Sequence, residues 1–181
     1  TGQKLRRAGN DDNLIVNVTE YKSIIGALQY LVLTRPELAF SVNKLSQFLA
    51  APTEKHWIAC KKILRYLKAT EDYGLLFKAG DGIRLTAYTY ADWACDIDDR
   101  KSIKAYYIYL GNNLISWSYK KQGVIAKSST ESEYRALSSA CSELSWLQSL
   151  FSELNIAQLP TSVLWCDNQS AGELARNPVF H

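Results

Sequence analysis

No stretch of this 181-residue sequence reaches the roughly 18 consecutive apolar residues that a membrane-spanning helix needs. The opening residues, Thr1–Asn10, are polar and basic and contain no signal-peptide core. A cytoplasmic or nuclear protein is therefore expected, neither secreted nor membrane-bound. There is no Cys-x-x-Cys pair and no closely spaced histidine pair among the four cysteines (60, 95, 141 and 166), so a zinc site is not expected. Cys60 and Cys141 fall on the apolar faces of predicted helices and read as reduced core thiols. Internal repeats and low-complexity tracts are also lacking. What is present is ordinary for a globular protein: 47% hydrophobic and 22% charged residues. The length suits one compact domain, or a small one with a helical appendage. The net charge of +3 is unevenly spread, with a balance of +5 over residues 1–79 and −2 over residues 80–181. A basic lobe beside an acidic one suits a protein that grips a polyanion and holds cations near it, although proteins with neither partner show the same asymmetry.

A flexible N-terminus is expected over residues 1–18. A helical pattern follows Thr19, with Ile24, Ile25, Leu28 and Leu31 on one face. Thr34-Arg35-Pro36-Glu37 reads as a capping box with proline at the first helical position, opening a helix that turns Leu38, Val42, Leu45 and Leu49 inward. Pro52 and Thr53 open a third helix with an apolar stripe of Trp57, Cys60, Leu64 and Leu67. Its other side carries Lys61, Arg65 and Lys68, spaced to lie together, with Lys55 and Lys62 nearby. Such a face is either simply solvated or able to track phosphates.

Around Lys78-Ala79-Gly80-Asp81-Gly82 the hydrophobic period changes from helical to two, which marks a domain boundary. Leu85–Tyr90, Ala105–Leu110 and Leu114–Tyr119 read as strands, the last two joined as a hairpin by Gly111-Asn112-Asn113. Ser128–Leu154 reads as one long helix burying Tyr134, Leu137, Cys141, Leu144, Leu147 and Phe151. A short buried strand over Ser162–Cys166 and a short helix over Ser170–Arg176 complete an α/β sandwich with an antiparallel start.

Two carboxylates stand where chemistry could be done. Asp167 follows the buried run Val163–Cys166 and precedes a helix; open α/β sheets place their sites at such strand ends, but Asp is also a favoured helix cap. Glu133 lies in the first turns of the long helix, where Thr130-x-x-Glu133 and Ser128-x-x-Glu131 both fit capping boxes and an acidic residue complements the helix dipole. The residues alone leave both readings open.

Longer motifs narrow the choice. Tyr21-Lys22-Ser23-Ile24-Ile25-Gly26-Ala27-Leu28-Gln29-Tyr30-Leu31, Thr34-Arg35-Pro36, Ala51-Pro52-Thr53, His56-Trp57 and Ile63-Leu64-Arg65-Tyr66-Leu67-Lys68 resemble the end of copia-type retrotransposon reverse transcriptases. Ala91-Asp92-Trp93-Ala94, Asp98-Asp99-Arg100-Lys101-Ser102, Leu114-Ile115-Ser116-Trp117-Ser118, Ser128 to Leu137 and Cys166-Asp167-Asn168-Gln169-Ser170-Ala171 resemble the RNase H domain of the same elements. The resemblance implies an RNase H-like mixed sheet with antiparallel first three strands and flanking helices, over residues 80–181. An all-helical segment like the reverse transcriptase thumb or connection would precede it, over residues 19–79. It further implies cleavage of the RNA strand of RNA–DNA hybrids by four carboxylates holding two Mg²⁺ ions. One ion would activate water, the other stabilise the leaving oxygen. Glu133 matches the helix glutamate of that set and Asp167 the aspartate of the fourth strand.

The remaining two carboxylates depart from the pattern. The family's Tyr-Ser-Asp-Ala-Asp-Trp-Ala-Gly is here Tyr88-Thr89-Tyr90-Ala91-Asp92-Trp93-Ala94-Cys95, with Tyr90 where the metal-bridging aspartate belongs. A phenol with a pKa near 10 does not replace an anionic bridge at pH 7. Asp92 is a possible substitute but stands roughly 6–7 Å further along the strand. The family's fourth carboxylate follows the Asn-Pro-Val-Phe-His motif, and this sequence ends at His181, which reads as a C-terminal truncation. Lys101-Ser102-Ile103-Lys104-Ala105 replaces the usual Lys-Ser-Thr-Ser-Gly, and Ala94-Cys95 the usual Ala-Gly. The palm metal motif of the polymerase is missing. The leading expectation is a degenerate or domesticated RNase H-like protein without hydrolytic activity, which binds nucleic acid through Lys61, Arg65 and Lys68, or binds a protein. An active ribonuclease H using Asp92, Glu133 and Asp167 with Mg²⁺, and an interaction module with a new surface, are the alternatives. No cofactor is expected unless the site works, in which case it is Mg²⁺.

Overall fold

The computed structural model describes residues 5–9, 12–15, 17–80, 83–156, 160–177 and 179. The chain divides into two compact units, Thr1–Leu75 and Leu76–His181. Asp81 and Gly82, in the expected boundary, lie outside the described residues, as do Thr1–Lys4, Asn10, Asp11, Val16, Ala157–Leu159, Pro178, Phe180 and His181.

The first unit is helical. Helix α1 (Val18–Leu31) starts two residues earlier than its pattern suggested, because the Asn17 side chain accepts from the Glu20 N–H at 2.9 Å. The expected capping box at Thr34 does not form. Thr34 donates instead to the Leu31 carbonyl at the end of α1, and Glu37 pairs with Arg35 at 2.6 Å. Proline therefore opens only a 3-10 turn (Pro36–Leu38), which runs into α2 (Ala39–Ser46). Helix α3 (Glu54–Ala69) is capped by Thr53 and His56, which satisfy each other's backbone ends. Tyr21, Ile25, Leu28, Leu38, Val42, Leu45, Cys60 and Ile63 form the core, and the Tyr21 hydroxyl donates to the Leu45 carbonyl. The α3 stripe is rotated from expectation: Ile63 is buried and Leu64 exposed, because His56 and Cys60 set the inward face. Part of the segment expected to be flexible is tied down. Leu14 bridges Thr53, and Asp12 pairs with Lys55 at 2.7 Å.

The second unit is α/β. Strands β1 (Leu85–Asp92), β2 (Ile103–Leu110) and β3 (Asn113–Lys121) are successively antiparallel. Strand β4 (Val163–Trp165) pairs parallel to β1, giving a mixed sheet of order β3-β2-β1-β4. Gly111, at φ 57°, supplies the left-handed residue of the tight β2–β3 turn. Helix α4 (Ser129–Glu153) crosses β1 and β2, and Leu85, Ala87, Ile108, Leu144 and Leu147 form the core between them. The buried face of α4 is Ser132, Glu133, Ala136, Leu137, Ala140, Leu144 and Leu147. Alanines at this face let helix and sheet approach closely. That choice turns Cys141 to solvent, correcting its reading as a core thiol, and leaves Tyr134 and Phe151 half-buried. Strand β4 is shorter than expected and not inner: among the described residues it pairs only with β1, and its Trp165 is 56% exposed. Helix α5 (Gln169–Arg176) follows it. Among the described residues no helix is long and apolar enough to cross a membrane.

Candidate metal centre at the end of the sheet

The β1–β4 ladder stops at Tyr88–Trp165, so among the described residues the rest of that edge of β1 has no strand beside it. Thr89 Oγ1 donates to the Trp165 carbonyl, and the Ala91 N–H is taken by a side chain of α4. That side chain is Glu133. Its Oε1 accepts from Ala91 at 2.9 Å, whereas Oε2 is buried with no hydrogen-bond partner among the described residues. Capping of α4 belongs to others: Ser128 Oγ accepts from the Glu131 N–H, and Glu131 accepts from the Lys127 N–H and pairs with Arg135. Glu133 is thus 5% exposed with half its hydrogen-bonding capacity unused. Burial pushes its carboxyl above the usual range; the Ala91 N–H opposes this and the nearby Asp167 charge adds to it.

Asp167 is likewise free of a capping duty. The chain bends at Asp167 after β4, and it is the Asn168 side chain that accepts from Ala171 to start α5. The bend brings two consecutive side chains toward α4. A carboxylate oxygen of Glu133, the Cys166 sulfur and a carboxylate oxygen of Asp167 lie within 4.8 Å of one another, with Glu133 buried, Cys166 half-buried and Asp167 exposed.

Tyr90 projects from the open face of β1, 49% exposed and opposite Ala105. Burial, and then the charges of Asp92, Glu133 and Asp167 together with the Cys95 thiol, hold its phenol pKa up, so the hydroxyl keeps its proton at pH 7. Asp92 shares that face and is exposed, but it is not part of the three-residue cluster. In the first unit, Lys61, Arg65 and Lys68 are exposed together on α3, and the Lys61 ammonium sits 5.3 Å from the centre of the Trp57 ring.

Comparison with known proteins decides the family. The chain is 50% identical over 163 residues to a retrovirus-related Pol polyprotein from transposon RE2 of Arabidopsis thaliana, covering 90% of this chain and 11% of that protein. It is 43% identical over 162 residues to the Pol polyprotein from transposon TNT 1-94 of Nicotiana tabacum, covering 89% of this chain and 12% of that protein. It is also 48% identical over 128 residues to the secreted RxLR effector protein 161 of Plasmopara viticola, covering 70% of this chain and 90% of that one. The chain belongs to the copia-type retrotransposon Pol family. It is transposon-derived and spans about a tenth of the length of the Pol polyproteins it matches. No family model and no solved structure matches it.

In this copia-type chain the geometry draws together Glu133 and Asp167 and adds Cys166, which sequence reading quoted only as part of a motif. Its signal was adjacency to Asp167 at a strand end, where a bend lets neighbours point the same way. A second residue escaped notice. Asp96, 1% exposed, accepts from the Asp98 N–H at 3.0 Å and the Asp99 N–H at 3.4 Å and pairs with Lys121 at 3.0 Å, pinning the loop after β1. Chemically, two carboxylates can hold one divalent cation, and Glu133 keeps one buried oxygen with no hydrogen-bond partner among the described residues. A pair of Mg²⁺ ions also needs a shared anionic oxygen ligand. The position that would supply it carries a neutral phenol, so the donor set fits one ion and not two.

Proposed function

We propose that this copia-derived chain is an RNase H-like module, preceded by the helical end of a reverse transcriptase, that binds nucleic acid without performing two-metal hydrolysis of RNA–DNA hybrids. The mixed sheet with three antiparallel strands, a long crossing helix and a parallel fourth strand supports the RNase H-like reading. The 50% identity to a Pol polyprotein supports the polyprotein context. The observation that carries the loss of hydrolysis is Tyr90: a protonated, exposed phenol beside Glu133 and Asp167, with Asp92 outside the cluster. Losing a ligand shared by two ions removes several kcal/mol of transition-state stabilisation. Binding is assigned to Lys61, Arg65 and Lys68 on α3, which contact phosphates as point charges or forks. A cytoplasmic or nuclear setting, where retrotransposon nucleic acid is found, goes with this reading.

The test is cleavage of a labelled RNA–DNA hybrid with Mg²⁺ or Mn²⁺. No turnover above buffer is expected. Turnover that disappears in Glu133→Ala would overturn the proposal in favour of an active ribonuclease H.

A further inference from the structure

The Glu133–Cys166–Asp167 cluster is chemically unlike an oxygen-only magnesium site. We infer that it holds a single thiophilic divalent cation of the Zn²⁺ class, with the Cys166 thiolate as a direct ligand. This rests on the reading that no magnesium pair assembles beside Tyr90.

Three observations carry it. The first is the set of donors: two carboxylate oxygens and one sulfur, all within 4.8 Å of one another. Zn²⁺ takes oxygen at about 2.0–2.2 Å and sulfur at about 2.3 Å in a tetrahedron, so its ligand atoms stand roughly 3.3–3.8 Å apart. The cluster needs to close by at most about 1.5 Å to reach that geometry, a side-chain adjustment for Cys166 and the exposed Asp167. Mg²⁺ demands six oxygens at about 2.0–2.1 Å and has little affinity for sulfur. The second is the buried Glu133 Oε2, which has no hydrogen-bond partner among the described residues while Oε1 is anchored to Ala91. Burying such an oxygen without a partner is costly, and a cation removes that cost. The third is the bend at Asp167, which gives Cys166 and Asp167 one side in common. Among the described residues the Cys166 sulfur makes a weak 3.7 Å contact to the Asn168 carbonyl, which a metal would displace at little cost. Three protein ligands leave a fourth position for water, the open arrangement of non-structural zinc sites. The missing Cys-x-x-Cys excludes a zinc finger but not a site built from two elements of the fold.

Titration of the whole chain with Co²⁺ under reducing conditions tests this, because a thiolate–cobalt bond gives a charge-transfer band in the near ultraviolet. The band is expected on the native chain, bleached by Zn²⁺ and indifferent to a large excess of Mg²⁺. Cys166→Ser abolishes it, Cys141→Ser leaves it, and Asp167→Asn, at an exposed position that does not threaten folding, weakens the accompanying Zn²⁺-induced rise in unfolding temperature. The proposal is overturned by the absence of a band, by a band that survives Cys166→Ser, or by a band lost with Cys141→Ser. Mg²⁺ or Mn²⁺ binding unaffected by Cys166→Ser also overturns it, by showing an oxygen-only site. Hybrid cleavage reports on the bridge at Tyr90 and cobalt absorption on the ligand at Cys166, so a failure of the one reading is distinguishable from a failure of the other.

Discussion

Replacing Glu133 by glutamine keeps the shape of the side chain and its bond from Ala91 while deleting a buried charge. The native carboxylate has one satisfied and one orphaned oxygen at 5% exposure. An unsatisfied buried polar group costs about 1–3 kcal/mol, at the upper end when charged. Glutamine recovers only part of this, since its amide nitrogen takes the place of the orphaned oxygen and lacks an acceptor. A net gain of about 1 kcal/mol is expected, which for a unit of this size raises the unfolding midpoint by about 4–8 °C. The pH dependence gives the sharper check. Burial raises the folded-state carboxyl above its ordinary value of 4.5. Protonated Glu133 is therefore favoured by folding, and native stability from this residue is fully present below about 4.5 and lost as pH rises through the elevated folded-state value. Glutamine does not titrate. Its advantage should be near zero at acidic pH, open across that window, and stay constant above it. Thermal unfolding of both proteins in chelator, from pH 4 to 8, is the measurement. A variant less stable than native at pH 8, or an advantage that grows toward acid, refutes the account of an uncompensated buried carboxylate.

Two further changes probe other parts of the chain. Lys121→Met strands Asp96 without its cation; breaking a buried pair costs about 3–5 kcal/mol, discounted here to about 2 because Asp96 keeps backbone donors and Lys121 is 19% exposed. Urea unfolding followed by tryptophan fluorescence measures it, and a loss under about 0.5 kcal/mol, the level of an ordinary surface substitution, contradicts a structural role for that pair. Joint replacement of Lys61, Arg65 and Lys68 by alanine should lower the salt-dependence slope of nucleic-acid affinity by about three, one per lost phosphate contact, in fluorescence anisotropy titrations. An unchanged slope, or no binding by the native chain at low salt, removes the basic face of α3 from the account and favours a protein partner.

Much of the fold was legible because period and turn chemistry were strong. The Gly111-Asn112 hairpin, the long α4 and the antiparallel run β1–β3 all follow from local signals that tertiary structure did not contradict. Errors came where a neighbour in space outbid a neighbour in sequence. Thr34 looks like a cap for the proline-led helix, yet its hydroxyl goes back to Leu31 because Glu37 is claimed by Arg35, itself bound to the distant Thr70. Cys141 follows the leucine period, yet α4 turns alanines and Glu133 to the sheet. The capping alternatives for Glu133 and Asp167 could not be decided from spacing. Only the contacts of Glu131 and Asn168, which take the helix-capping roles themselves, leave the two carboxylates without that explanation.

The consequences of Tyr90 reach beyond a missing ligand. An aspartate there would set a third carboxylate near Glu133 and Asp167, and each charge would raise the others' cost of ionising. Cations would lower that cost, so the fold and the metal would be thermodynamically linked. A phenol breaks that linkage. It carries no charge at pH 7, and it leaves one buried carboxylate uncompensated rather than several. If the cluster takes the single cation proposed above, the softness of Cys166 rather than the count of oxygens would decide which.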